Sequence, residues 1–279
     1  GWLNVTDVLY HSWWAVFAVF LAHVPLGMLP HIGNKLWALK EPTQRMQFIR
    51  LAFVFALILA MLGFGGIMAR VILGEGIDSN QALALLFIDL FPSWFAALLG
   101  VGILAAVMST ADGLVVSSSQ IVANDLYRLS FVPRYRKDLS EEEIERRSLN
   151  ISRISTVVIM ILCTLLAWQT LDMNVTILVW IGVGCMMAAF AGPLILGSVW
   201  SGVTKAGAFA GLLTGGGVYI ITYLGVINPE WFGPGSLKDI ALWLQRESPN
   251  PYSCAAMGEI ASIAVTVVVS KLTAPYPKA

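Results

Sequence analysis

Long apolar stretches separated by short polar segments dominate the chain. They lie near 9–31, 49–73, 94–121, 152–170, 174–199, 206–227 and 254–272. Each is close to or above the roughly 17 to 25 residues that an α-helix needs to cross a bilayer. The pattern therefore predicts an all-α integral membrane protein with about seven transmembrane spans, and the lipid bilayer as its surroundings.

Prolines interrupt the first apolar stretch. Pro25 and Pro30 lie inside it with Gly27 between them, and a proline within a helix removes a backbone hydrogen-bond donor. Freed carbonyl groups persist at membrane depth only where protein or a water-filled cavity satisfies them. Two interpretations remain open here: a broken helix that contacts a ligand, and a simple kink.

The remaining segments predict further helices. Residues 79–92 are too short to span and predict an interfacial helix on the outer side, whereas Leu237–Leu244 predict a short amphipathic helix in a loop. Ser140 and Glu143 have the spacing of a capping box that opens a short helix. Nothing strongly breaks the helical pattern over residues 93–128, and a helix of ~50 Å must tilt, break or project beyond a ~30 Å hydrocarbon core.

Composition and charge agree with a membrane protein. Hydrophobic residues make up 57% of the chain and charged residues only 12%, which is far from the usage of soluble domains. The formal net charge of zero gives no indication of nucleic-acid binding, so we expect no nucleic acid as a partner. The three cysteines, Cys163, Cys185 and Cys254, have no metal-binding or redox spacing.

The basic residues define an orientation. If the spans alternate, 14 of the 17 lysines and arginines fall on one side of the membrane, and Arg70, Lys238 and Arg246 fall on the other. Basic residues are enriched on the cytoplasmic side. We therefore expect a multi-pass protein of the plasma membrane with its amino end outside and its carboxyl end in the cytoplasm. The chain starts with Gly1 and no signal peptide precedes the first span, from which we expect a fragment whose natural start lies upstream.

Enzyme chemistry has little support in the sequence. The chain has no H-E-x-x-H motif, no Gly-rich phosphate loop and no G-x-S-x-G nucleophile elbow. Its three histidines, His11, His23 and His31, surround the first span without carboxylate or thiol partners at metal-binding spacing. We therefore expect a protein that is not an enzyme.

An oxygen-rich face interrupts the third span. In "AAVMSTADGLVVSSSQIVANDLYR", Ser109, Thr110 and the carbonyl group of Ala106 lie on one side of the predicted helix. A hard cation prefers oxygen ligands that replace its water, so the three oxygens are candidate ligands for a monovalent ion. Alternatively, both hydroxyl groups bond back to carbonyl groups three or four residues earlier. The residues alone leave the two interpretations equal.

Three stretches resemble one family. "LAAVMSTADGLVVSSSQIVANDLYR" resembles the signature of the sodium:solute symporters, the group that includes proline, pantothenate and sugar cotransporters. "LPHIGNKLWALKEP" is similar to the family's exit from a broken helix, and "AFAGPLILGSVWSGVTKAGAFAGLLTGG" to its link between late helices. Together they align the chain with the family's carboxyl-terminal half.

The resemblance implies a leucine-transporter-like fold with binding sites at mid-membrane beside broken helices. Residues 1–200 would form the second five-helix inverted repeat, and residues 201–279 two additional helices. Sodium would bind the Ala106 carbonyl and the Ser109 and Thr110 hydroxyl groups, with further ligands from the missing amino-terminal half. The implied function is sodium-coupled symport of a small solute by alternating access. A sensor that keeps the transporter fold is the alternative.

The resemblance also implies a solute site, and it leaves the role of one carboxylate undecided. Ala22, Leu26 and Pro30 occupy the positions that contact solute in the family, but small or aliphatic residues stand where proline transporters have aromatic ones. Asp112 lies near the membrane interior, where carboxylates are functional candidates. It either attracts the cation along its exit path or is a solvated residue paired with an arginine.

Overall fold

The computed structural model describes residues 10–29, 32–33, 39, 41–74, 76–136 and 138–273. Regular structure in this part of the chain is helical and includes no β-strand. The chain divides into two compact units, one of Gly1–Gly33 with Val175–Ala279 and one of Asn34–Asn174. The helices are, in chain order, α1 (Trp13–Ala22), α2 (Pro42–Ala60), α3 (Gly63–Leu73), α4 (Ala82–Leu90), α5 (Ser93–Tyr135), α6 (Glu141–Gln169), α7 (Val175–Val199), α8 (Lys205–Tyr223), α9 (Ser236–Glu247) and α10 (Pro251–Leu272).

In the part of the chain that the structure describes, six helical segments are long and apolar enough to cross a membrane. They are α5, α6, α7, α8, α10 and the stretch Thr43–Leu73, which combines α2 and α3. They match six of the seven predicted spans. Among its described residues, the remaining span includes α1, whose 10 residues are too few to cross a bilayer in helical form. The chain is thus an all-helical, multi-pass membrane protein.

The first span is broken where its sequence predicts. Ser12 caps the start of α1 by accepting a hydrogen bond from the Ala15 N–H at 3.0 Å. The helix ends at Ala22, and a single turn of 3₁₀ helix follows at Leu26–Met28. Pro25 explains the interruption, because proline disfavours helical backbone in the residue before it and lacks an N–H group of its own.

Small residues join α8 to α10 in the first unit. Gly207, Gly211 and Gly215 are buried on one face of α8, and Ser262, Thr266 and Ser270 are buried on α10. A Cβ atom built on Gly211 would lie 2.9 Å from the Ser262 carbonyl oxygen. The two helices therefore approach each other closely, in the small-residue packing that is common in membranes.

A proline in α7 is compensated from α10. The helix widens to a π-helical segment at Ala191–Leu196, which contains Pro193. Pro193 cannot donate to the carbonyl group of Ala189. Instead, the Ser262 hydroxyl group donates to that carbonyl at 3.3 Å and accepts from the Gly192 N–H at 3.0 Å. One side chain thus satisfies both groups at the break.

In the second unit, α5 and α6 are longer than the sequence predicts. The predicted cap at Ser140 is confirmed, because its hydroxyl oxygen accepts from the Glu143 N–H at 3.3 Å. However, the short helix expected there and the following span form one continuous helix of 29 residues. Likewise, α5 continues for 43 residues without the possible break, although residues Ile121–Phe131 are π-helical.

Hydroxyl groups connect α5 to α6 beyond the oxygen-rich face. Ser148 donates to the Ala123 carbonyl oxygen at 3.0 Å, and Ser152 to the Ser119 hydroxyl oxygen at 3.5 Å. Most apolar side chains of α2, α3, α5 and α6 are exposed within this chain. Such a surface is typical of helices that contact lipid or further protein.

Candidate ion and solute sites

The predicted ion ligands share one face of α5. Ala106, Ser109 and Thr110 lie within its regular α-helical part, Ser93–Gln120. Residues three and four apart are neighbours on a helix surface, so the three positions are adjacent. All three residues are exposed within this chain, so the Ser109 and Thr110 side chains are accessible to further partners.

Thr110 makes the backbone contact that the alternative interpretation predicts. Its hydroxyl group donates to the Ala106 carbonyl oxygen at 3.2 Å. A hydroxyl oxygen has two lone pairs besides its proton, and a carbonyl oxygen has two lone pairs. The hydrogen bond leaves both lone pairs of the Thr110 hydroxyl oxygen free and fixes their direction. The Ala106 carbonyl oxygen lies within the α-helix and also accepts from the Thr110 N–H group, so an ion at this face would have to displace or share one of these two bonds.

Ser109 differs from most of the hydroxyl residues that follow it. Ser118 donates to the Leu114 carbonyl oxygen at 2.8 Å, and Ser119 donates to the Val116 carbonyl oxygen at 2.9 Å. Within the described part of the chain, the Ser109 side chain makes no hydrogen bond. Ser118 and Ser119 thus follow the ordinary behaviour of hydroxyl groups in membrane helices, and Ser109 does not.

Asp112 lies beside Ser109 on the helix surface. At about 100° per residue, it is only about 60° around the axis from Ser109 but about 200° from Thr110. Its side chain is exposed, and no salt bridge reaches it from the residues that the structure describes. The arginine partner that one interpretation requires is therefore not found in that part of the chain.

The predicted solute residues have different environments. Ala22 is fully buried, whereas Leu26 is 37% exposed. Pro30 lies outside the described residues. Ala22 belongs to a buried cluster with Trp180 and Tyr252, so it supports the packing of the helix end. Of the two predicted solute residues that the structure describes, Leu26 is the one with an accessible side chain.

An aromatic cluster surrounds the end of α1. The His23 ring centroid lies 4.5 Å from that of Trp180 and 6.2 Å from that of Tyr252, and Trp180 and Tyr252 are themselves 4.4 Å apart. Trp180 and Tyr252 are buried, but His23 is exposed. Sequence reasoning placed His23 near the break without finding its aromatic partners, because they come from α7 and α10, which are distant in sequence.

Comparisons with known proteins identify a family. The sequence profile of the sodium:solute symporter family matches residues 9–215. The sodium/pantothenate symporter of Haemophilus influenzae is 27% identical over 71% of this chain and 40% of its own length, and that of Escherichia coli is 25% identical over 81% and 45%. The sodium/proline symporter of Staphylococcus aureus is 30% identical over 61% of this chain and 30% of its own length.

The chain spans less than half the length of these relatives. No solved structure matches it significantly. The profile match extends from just before α1 into α8 and includes the oxygen-rich face of α5 and the broken first span.

Proposed function

This chain belongs to the sodium:solute symporter family, and we propose on that basis that it is part of a membrane transporter that couples the uptake of a small solute to sodium. The chain is not an enzyme, since its family and its relatives are symporters. The names of the relatives include both pantothenate and proline. These names support a small solute as the class of cargo, and they do not single out one compound.

The oxygen-rich face of α5 carries the proposal for sodium. The Ala106 carbonyl oxygen and the Ser109 and Thr110 hydroxyl oxygens are adjacent on this face, and the two hydroxyl oxygens keep acceptor capacity. Neutral oxygens can replace part of the hydration shell of a hard cation. Three ligands are too few to enclose the ion. The other ligands would come from the portion of the transporter that corresponds to the rest of the relatives' length.

The fold that we propose follows the family. Residues 1–200 form the second inverted repeat of a leucine-transporter-like fold, and residues 201–279 add two helices. In such folds, broken helices line the binding sites and the repeats rock around them in alternating access. The interruption of α1 at Pro25 and the oxygen-rich face of α5 are the features of this chain that support the assignment.

The solute site that we propose includes Ala22, Leu26 and Pro30. Leu26 offers an accessible apolar side chain directly after the break in the first span. Ala22 supports it from the buried end of α1. Asp112 lies beside Ser109 and would attract the cation along its path, because a carboxylate favours a nearby positive charge.

We further propose that the protein lies in the plasma membrane with the amino end of this chain outside and its carboxyl end in the cytoplasm. The distribution of lysine and arginine residues supports this orientation. Binding of sodium from outside would then favour the outward-open state and make solute uptake favourable.

Uptake measurements test the proposed function. Cells that express the full-length transporter would be supplied with labelled small solutes in sodium buffer and in buffer with choline in its place. We expect uptake of at least one solute only in sodium buffer. Solute binding without any sodium-dependent uptake would instead favour a sensor that retains the transporter fold.

A further inference from the structure

Glu259 is a buried carboxylic acid within the last span. It lies in α10, an apolar helix of 22 residues, at its ninth position. At ~1.5 Å per residue, this is about 12 Å from the start of the helix and so at membrane depth. Glu259 is 2% exposed. The family profile ends at residue 215, before this helix begins.

The Glu259 carboxyl group has no polar partner within the described part of the chain. Its Oε1 atom is buried and makes no hydrogen bond. The Ser262 hydroxyl group, three residues later in α10, is engaged instead by the Gly192 N–H and the Ala189 carbonyl oxygen. An ionised carboxylate at this position would therefore be desolvated without compensation.

The ionisable groups around α10 do not compensate Glu259 either. Helices α1, α7 and α8 pack against α10. Within these helices and α10 itself, or directly beside α1, the structure describes the ionisable side chains of His11, His23, Cys185, Lys205, Tyr219, Tyr223, Tyr252, Cys254 and Lys271. No hydrogen bond or salt bridge joins any of them to Glu259.

A second buried glutamate in the same unit shows the contrast. Glu247 is fully buried at the end of α9. Its Oε1 atom lies 2.9 Å from His11 Nε2, and its Oε2 atom accepts from the Ser253 hydroxyl group at 2.7 Å. The fold thus surrounds one buried carboxylate with hydrogen-bonding partners and provides none for the other in the described part of the chain.

From this geometry we propose that Glu259 is a proton-binding site. Burying an unpaired ion costs several kcal/mol, and this cost is avoided when the group is neutral. The carboxylate becomes neutral by binding one proton from the surrounding water. A sodium ion would need several oxygen ligands around it, but no side chain in the described part of the chain makes a hydrogen bond or ion pair with the Glu259 carboxyl group. The ligand is therefore a proton, and it exchanges when the packing around α10 opens.

Infrared spectroscopy of the purified full-length transporter tests the charge state. We expect a carbonyl band of a protonated, weakly hydrogen-bonded carboxylic acid at neutral pH, absent from Glu259→Gln but retained in the control Glu230→Gln, whose side chain is exposed. If the difference between wild type and Glu259→Gln contains only carboxylate bands, whether or not sodium shifts them, Glu259 is ionised and the proposal is wrong.

Stability against pH gives an independent readout. The protonated group fits the fold, so its contribution is present at low pH and is lost as pH rises and the buried group must ionise. As pH rises, the folded-to-unfolded ratio of the wild type should fall relative to that of Glu259→Gln, by up to about tenfold per pH unit for one proton. Parallel pH curves for the two proteins would overturn the proposal. If Glu259→Gln does not fold, an infrared titration of wild-type protein with isotope-labelled glutamate decides between the same two outcomes.

Discussion

A Cβ atom on Gly215 in α8 would collide with the carbonyl oxygen of Ala188 in α7. The Gly215 carbonyl oxygen, in turn, would lie 2.7 Å from a Cβ atom on Gly258 in α10. At Gly215, therefore, the backbones of three helices come so close together that a glycine hydrogen atom fits where a Cβ atom would not.

Gly215→Ala should consequently destabilise the protein. Because backbone atoms cannot move aside as a flexible side chain does, we expect a loss of about 1–3 kcal/mol in the free energy of unfolding. Denaturant unfolding of the purified protein in detergent measures it. Gly217→Ala in the same helix is the matched control, since nothing lies within 4 Å of its Cβ position, and helix propensity should stabilise it by up to about 1 kcal/mol. Equal effects of the two variants would show that α8 does not pack as described.

Loss of a proposed sodium ligand should raise the sodium requirement. Ser109→Ala or Thr110→Ala removes one oxygen ligand and leaves the apolar side of α5 unchanged. A charge-assisted contact is worth about 1.5–3 kcal/mol, or roughly ten- to a hundredfold in ion affinity. The half-saturating sodium concentration for uptake should rise accordingly, and additional sodium should partly restore transport.

Ser118→Ala is the control for these variants. Its hydroxyl group makes the same type of bond as Thr110, to a carbonyl oxygen four residues earlier, but we assign it no ion. We expect its sodium dependence to stay normal. If Ser109→Ala and Thr110→Ala behave like Ser118→Ala, the ion site is not on this face of α5.

A bulky residue at the break of the first span should affect the solute more than the ion. Leu26→Trp enlarges an accessible side chain in the proposed solute site, so the solute concentration for half-maximal uptake should rise several-fold at constant sodium affinity. Phe20→Trp enlarges another exposed side chain, in α1 before the break, and should change neither. A parallel loss of solute and sodium affinity in Leu26→Trp, at normal expression, would indicate damaged folding.

Single cysteines test the orientation. In a variant without Cys163, Cys185 and Cys254, we expect Glu142→Cys and Lys205→Cys to react with impermeant thiol reagents only from the cytoplasmic side. Ser236→Cys should react from outside. All three positions are exposed, so access and not burial decides the result. Labelling of Lys205→Cys from outside in intact cells would reverse the proposed orientation.

Local sequence patterns predicted where helices form better than they predicted how long the helices are. The amphipathic pattern at Leu237–Leu244 lies within α9, and the cap at Ser140 begins α6. The joined length of α6 was missed because charged residues near its start resemble a solvated loop, although helices readily continue from water into lipid. Apolar patterns mark the membrane part of a helix, and its ends depend on capping.

Long-range pairing explains what the sequence did not reveal. Glu247 follows the amphipathic pattern at Leu237–Leu244, and nothing in the sequence indicates its burial, because its partners His11 and Ser253 are brought to it only by the fold. Glu259 could have been found from the sequence, because it is a lone acidic residue within an apolar helix. Such residues in membranes are functional candidates by default. The missing partner of its Oε1 atom is visible only once the surrounding helices are placed.

Because α5 is continuous, a rotation about one of its ends displaces the other end. At ~1.5 Å per residue, its 43 residues extend about 60 Å, so rotating the whole helix by about 10° about one end would move the other end by about 10 Å. The hydroxyl contacts of Ser148 and Ser152 would carry α6 along with it. With the Ser93 end held, a shift of about 2 Å at Ser109 would therefore become a shift of about 5 Å at Tyr135, the other end of the helix.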